Sequence, residues 1–92
     1  MNNIEKGYYL DHFDAIVLKL QLIVTYFMTE AHSDSIESGE KVETTTRYHD
    51  AQYVQSILSA VKERKWEKAK DLAWSMDTEP REHLPAHFWE YD

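Results

Sequence analysis

The segment Tyr8–Met28, YYLDHFDAIVLKLQLIVTYFM, carries more apolar surface than one face of a helix needs. Leu10, Phe13, Val17, Leu20, Val24 and Phe27 alternate at spacings of three and four, the pattern of a heptad-like seam. Leu18, Leu22 and Tyr26 form a second stripe on roughly the opposite side. A helix that is apolar on two faces has to be covered on both. A chain of 92 residues has little else to cover it with. The expectation is a partner for this helix, and a second copy of the chain is the simplest one. Phe13, Val17, Leu20, Val24 and Phe27 are the expected dimer interface.

The same segment admits a competing reading. Every even position from Ile16 to Met28 is apolar, as a half-buried strand requires. Length arbitrates for a helix over about residues 10–31, because mean strands run to roughly 5–6 residues. Asp11 and Asp14 suit the positive N-terminal end of such a helix. Lys19 and Gln21 interrupt the apolar run, which falls short of the about 20 clean residues of a membrane span. The N-terminal stretch lacks the basic n-region and cleavage site of a signal peptide. No cysteine occurs, so disulfides, thiolate metal sites and cysteine nucleophiles are excluded. A small domain without such staples is expected in a reducing, cytoplasmic setting.

The chain reads as one small, mostly α domain. Residues 32–49 are polar, contain Gly39 and read as an acidic loop. Within them VETTTRY has strand composition, so a short β element around 41–48 stays open. Val54, Ile57, Leu58 and Val61 then mark a helix over about 50–63. A stripe out of phase with it, Trp66, Ala69, Ala73 and Met76, marks another over about 66–77. The phase jump implies a turn, giving an αα-hairpin beside the long N-terminal helix in a small bundle. Residues 60–76, AVKERKWEKAKDLAWSM, resemble the second half of a tetratricopeptide unit, although the turn glycine of that unit is missing. The tail 78–92 holds Pro80 and Pro85, which argue against a regular helix. Its Leu84, Phe88, Trp89 and Tyr91 suit packing back on the helices or reaching a partner.

Candidate chemistry is sparse. His83 and His87 would share a helix face, but Pro85 lies between them and no third ligand has a fixed spacing. No metal or cofactor is expected. Two glycines leave no room for a phosphate loop, and no nucleophile elbow surrounds a serine. The spacing of Arg81 and His87 resembles the Arg…His pair of the HEPN ribonucleases, all-helical dimers that use those two residues on RNA. That resemblance implies a ribonuclease or toxin–antitoxin component as the alternative function. Here the pair spans a proline and lacks the polar residue that usually follows the arginine.

Charge favours a different reading. The net charge of −7 repels phosphates and argues against a general nucleic-acid binder. Residues 28–43 carry five carboxylates against Lys41, and residues 71–92 carry six against Arg81. The one basic stretch, Lys62 to Lys70, surrounds Trp66, which could stack on a base. In size and charge the chain resembles small phage-encoded inhibitors, including DNA mimics and some anti-CRISPR proteins. The expected function is therefore non-catalytic protein binding, in its most concrete form inhibition of a nucleic-acid-handling complex with a basic surface. Glu37, Glu40, Glu43, Trp66, Trp74 and Trp89 are the expected contacts, since large aromatics dominate interface energetics.

Overall fold

A computed structural model describes Gly7 and residues 10–85 of the chain. Its ordered elements are α1 (Phe13–Ser38), a 3-10 turn (Val42–Thr44), α2 (Thr46–Lys62), α3 (Trp66–Trp74) and the single-turn α4 (Thr78–Arg81). The expected mostly α architecture is present, with a long first helix and an αα-hairpin. No strand occurs among the described residues. The body is elongated, 48 × 22 × 17 Å, along the direction that the 26-residue α1 dictates.

The period of 3.6 wins in the first segment, and burial shows why. Ile16, Leu20, Ile23, Phe27 and Ala31 are buried, one or two per turn on a single face. A strand would have buried Leu18, Leu22 and Tyr26 with Leu20, yet those three are exposed. Asp14 lies in the first turn, where its charge complements the macrodipole. The helix does not stop at Ala31 but runs seven residues further, through HSDSIES. Nothing in that polar stretch breaks a helix until Gly39, which takes φ 75° and donates its N–H to Ser35 O at 2.9 Å.

The threonine-rich stretch is a turn and a helix cap, not a β element. Thr44 N–H and Thr45 N–H close the 3-10 turn on Lys41 O and Val42 O, both at 3.0 Å. Thr45, only 5% exposed, is the N-cap of α2, and its hydroxyl accepts from Tyr48 N–H at 3.2 Å. Threonine suits a cap because its oxygen satisfies a donor that the first helical turn leaves unpaired. Helix α2 therefore starts at Thr46, ahead of the expected residue 50. The loop expected over 32–49 shrinks to the few residues around Gly39 and the 3-10 turn.

The hairpin turn solves its missing glycine with an arginine. Arg64 has φ 63°, its N–H donates to Val61 O at 3.0 Å, and Lys65 N–H donates to Ala60 O at 2.9 Å. This is the Schellman arrangement with a non-glycine residue in the left-handed position. Its guanidinium lies 3.6 Å from the centroid of the Phe13 ring, so the same residue that turns the chain also covers the start of α1. Trp66, Ala69, Ala73 and Met76 are buried, as the second stripe requires. Helix α3 closes at Trp74, three residues earlier than expected. Pro80 sits in the first turn of α4, where its missing N–H costs no helical hydrogen bond, so one turn forms despite it. Leu84, 4% exposed, folds back into the core. Phe88, Trp89 and Tyr91 lie outside the described residues.

Arg47 ties three helices at one point. Nη1 donates to Glu79 Oε2 at 2.7 Å and to Asp50 Oδ2 at 3.1 Å, and Nη2 donates to Glu79 Oε1. Its Nε lies 2.8 Å from Glu30 Oε1, a buried atom that accepts no hydrogen bond among the described residues, so the two attract as an ion pair. The guanidinium carbon also stands 4.6 Å from the ring centre of Phe27. The His83 ring meets Phe27 edge to face at 5.1 Å, bringing the segment after α4 to the same point.

The left-handed turn gives a clean stability test. Arg64→Ala and Arg64→Gly both remove the contact with Phe13, and only alanine keeps the steric cost of positive φ. Urea denaturation should find the glycine variant more stable than the alanine variant by about 1 kcal/mol. Equal stabilities would mean that the turn carries no strain.

Candidate interaction surface

The two stripes of α1 end in different environments. Leu20 and Phe27 are fully buried within the chain, and Phe13, Val17 and Val24 pack partly buried against the same core. The seam expected as a dimer interface is therefore the intramolecular one, covered by α2 and the segment around Leu84. Leu10, expected in that seam, precedes α1 and is 60% exposed. The second stripe is the uncovered one. Leu18, Leu22 and Tyr26 are 56%, 58% and 47% exposed, one turn apart on the outer face. Lys19, Leu22, Ile23, Tyr26 and His83 line a shallow cleft beside it.

The expected aromatic contacts separate in the same way. Trp66 is 6% exposed and meets Phe13 edge to face at 6.2 Å, so it is a core residue. Base stacking on Trp66 is excluded by that burial, which leaves the surrounding lysines without an aromatic platform there. Trp74 is exposed at the end of α3, with Arg81 5.0 Å from its ring centre. Trp89 lies outside the described residues. Arg81 also donates from Nη1 to Trp74 O at 3.2 Å, a tie between α4 and α3. Its proposed catalytic companion, His87, lies outside the described residues.

The acidic contacts converge on one end of the molecule. Glu37 and Glu40 join Asp34, Ser38 and Thr44 to Thr46 around an open cleft of about 410 Å³. Glu43 is exposed on the adjoining 3-10 turn. A second cleft next to it is walled by Asp34, Asp50, Asp77 and Glu79, with Arg47 as the cation in its wall. Hydrogen bonding to Arg47, chiefly, holds the Glu79 carboxyl below the ordinary glutamate range. Reciprocally, the hydrogen bonding that Arg47 donates to the Glu79 carboxylate is the main cause that raises the Arg47 guanidinium above its usual value. Both stay charged at neutral pH, so Arg47 offsets one of the three carboxylates around it and the end of the molecule stays negative. Among the described residues no three histidine or carboxylate side chains are arranged to hold a metal ion. No helix among them is long and apolar enough to cross a membrane.

The sequence missed Arg47 altogether, because its partners come from positions 30, 50 and 79 and share no local spacing. The outer stripe was legible as a surplus, and only its assignment to the solvent side needed the fold.

The Arg47–Glu79 pair predicts a pH dependence. A carboxyl depressed in the folded state stabilises the fold above its unfolded pKa, and that contribution is lost as pH falls through the folded value. Chemical denaturation across the acid range should show a shallower loss of stability for Glu79→Gln than for the wild type, and an unchanged slope would deny the pair a role. Arg47→Lys should lower stability at neutral pH, because one ammonium cannot reproduce the fork on Glu79. Comparison with protein-family models, curated proteins and solved structures finds no match to this chain.

Proposed function

We propose that this chain is a non-catalytic protein-binding module that self-associates through the outer face of α1 and engages a basic protein surface through its acidic end. The observation that carries the reading is the exposure of Leu18, Leu22 and Tyr26 on successive turns, when the opposite stripe of the same helix is spent on the core. Contiguous exposed apolar patches of this kind mark interaction sites in monomeric folds. Asp34, Glu37 and Glu40, gathered at one cleft, supply the complementary feature for a basic partner. The concrete form is a small acidic inhibitor that occupies the nucleic-acid-binding surface of another protein.

Size sets the strength of self-association. The 26 residues of α1 span about 39 Å, and a helix face about 10 Å wide gives roughly 400 Å² per copy. Standard interfaces bury about 800 Å² per partner, so the dimer is expected to be weak and concentration-dependent. Sedimentation across the micromolar range should show that equilibrium for the wild type. Leu22→Glu should shift it to monomer while changing stability by no more than about 0.5 kcal/mol, as exposed positions do. A wild-type chain that stays monomeric at high micromolar concentration would overturn the self-association. For the acidic end, Glu37→Lys with Glu40→Lys should abolish capture of the basic partner while leaving the helical content and urea stability of the chain close to wild type.

A further inference from the structure

The cleft beside the outer stripe follows one line of α1. Lys19, Leu22, Ile23 and Tyr26 fall at spacings of three and four, and His83 closes the side from the segment after α4. Its volume of about 380 Å³ has room for ring side chains. Lys19 is exposed, has no carboxylate three or four residues away on α1, and makes no ion pair among the described residues. We infer that this cleft takes residues 86–92 of the same chain, with the Trp89 and Tyr91 rings on Leu22 and Tyr26, and Glu90 and Asp92 toward Lys19. This goes beyond the self-association reading above, because the segment is then a cover that a second copy has to displace.

Position, length and charge select that occupant. Leu84 is anchored in the core at 4% exposure, and the His83 ring stands 5.5 Å from that of Tyr26. The chain therefore leaves the described residues at Pro85, just past the wall of the cleft. From Tyr26 back to Lys19 is about 10 Å along the helix. Residues 86–90 reach about 17 Å when extended, so Glu90 comes to Lys19 with slack. The lead-in before α1 is worse placed, since Phe13 lies about 14 Å from Leu22 along the axis. Residues 1–9 also carry one Glu and one Lys, leaving no net side-chain charge for Lys19 to attract. From Trp89 to Asp92 the sequence alternates aromatic and acidic. Alternate side chains of an extended segment face opposite ways, so both rings can meet the stripe while both carboxylates stay hydrated. Rings supply large apolar area, and Leu22 and Tyr26 leave that area open at 58% and 47% exposure. Tethering decides between this segment and a second copy. A short tether holds its segment at an effective concentration of about millimolar, above the micromolar concentration of free chains.

Nuclear Overhauser measurement on the full chain tests this directly. In uniformly isotope-labelled protein the Trp89 and Tyr91 rings should show contacts with the Leu22 and Ile23 methyl groups. In an equal mixture of labelled and unlabelled chains, a filter that passes only contacts between copies should lose them. Absent contacts overturn the inference. Contacts that persist through the filter overturn it as well, because they place the segment of one copy on the α1 of another. Sedimentation gives a second readout. Trp89→Ser with Tyr91→Ser should bare the face and tighten self-association several-fold relative to wild type. A dissociation constant equal to that of the wild type would deny the competition. If neither chain self-associates at high micromolar concentration, the self-association reading falls, and the contacts within one copy alone decide the docking.

Discussion

Phe27 is the point on which the packing of the chain turns. Its ring is fully buried at the middle of the inner stripe of α1, with Arg47 of α2 over one side and the edge of His83 against it. A large aromatic in that place has two effects. It supplies the biggest fully buried side chain of the core, and its polarised ring gives a guanidinium somewhere to rest while partly dehydrated. Arg47 can then hold Glu30, Asp50 and Glu79 at once, joining α1, α2 and α4 with one side chain. The short α4 has few contacts of its own and depends on that junction and on the Arg81–Trp74 tie for its position.

The same junction organises the surface. Because α2 and the segment around Leu84 close over the inner stripe, Leu18, Leu22 and Tyr26 of the outer stripe stay exposed among the described residues. Carboxylates also crowd toward the end that Arg47 anchors, where Asp34, Glu37 and Glu40 line one cleft, whereas at the hairpin turn Lys65 is paired with Glu63.

The elements were legible wherever a periodic apolar pattern ran long enough. Val54, Ile57, Leu58 and Val61 mark α2, and Trp66, Ala69, Ala73 and Met76 mark the second arm of the hairpin, as the structure bears out. Boundaries were harder, for physical reasons that differ by position. The polar run after Ala31 contains no breaker, so α1 continues to Gly39 although the core has ended. Thr45 reads as a strand former by composition and acts as a cap, because a hydroxyl next to a helix start has a backbone donor to satisfy. Arg64 takes a left-handed turn position that most often falls to glycine, and its contact with Phe13 accompanies a conformation that its Cβ disfavours.

By itself the sequence determined that the first segment has two apolar stripes, that a hairpin follows, and that acidic groups concentrate in two stretches. It did so because periodicity and charge are local properties of a chain. Only the tertiary structure decided which stripe of α1 is core and which is surface, since that depends on which face α2 approaches. Only the tertiary structure could bring Arg47 to carboxylates at positions 30, 50 and 79, and could show that Trp66 is a core ring and Trp74 a surface one. Those outcomes follow from contacts between residues distant in the chain, which no window of sequence contains.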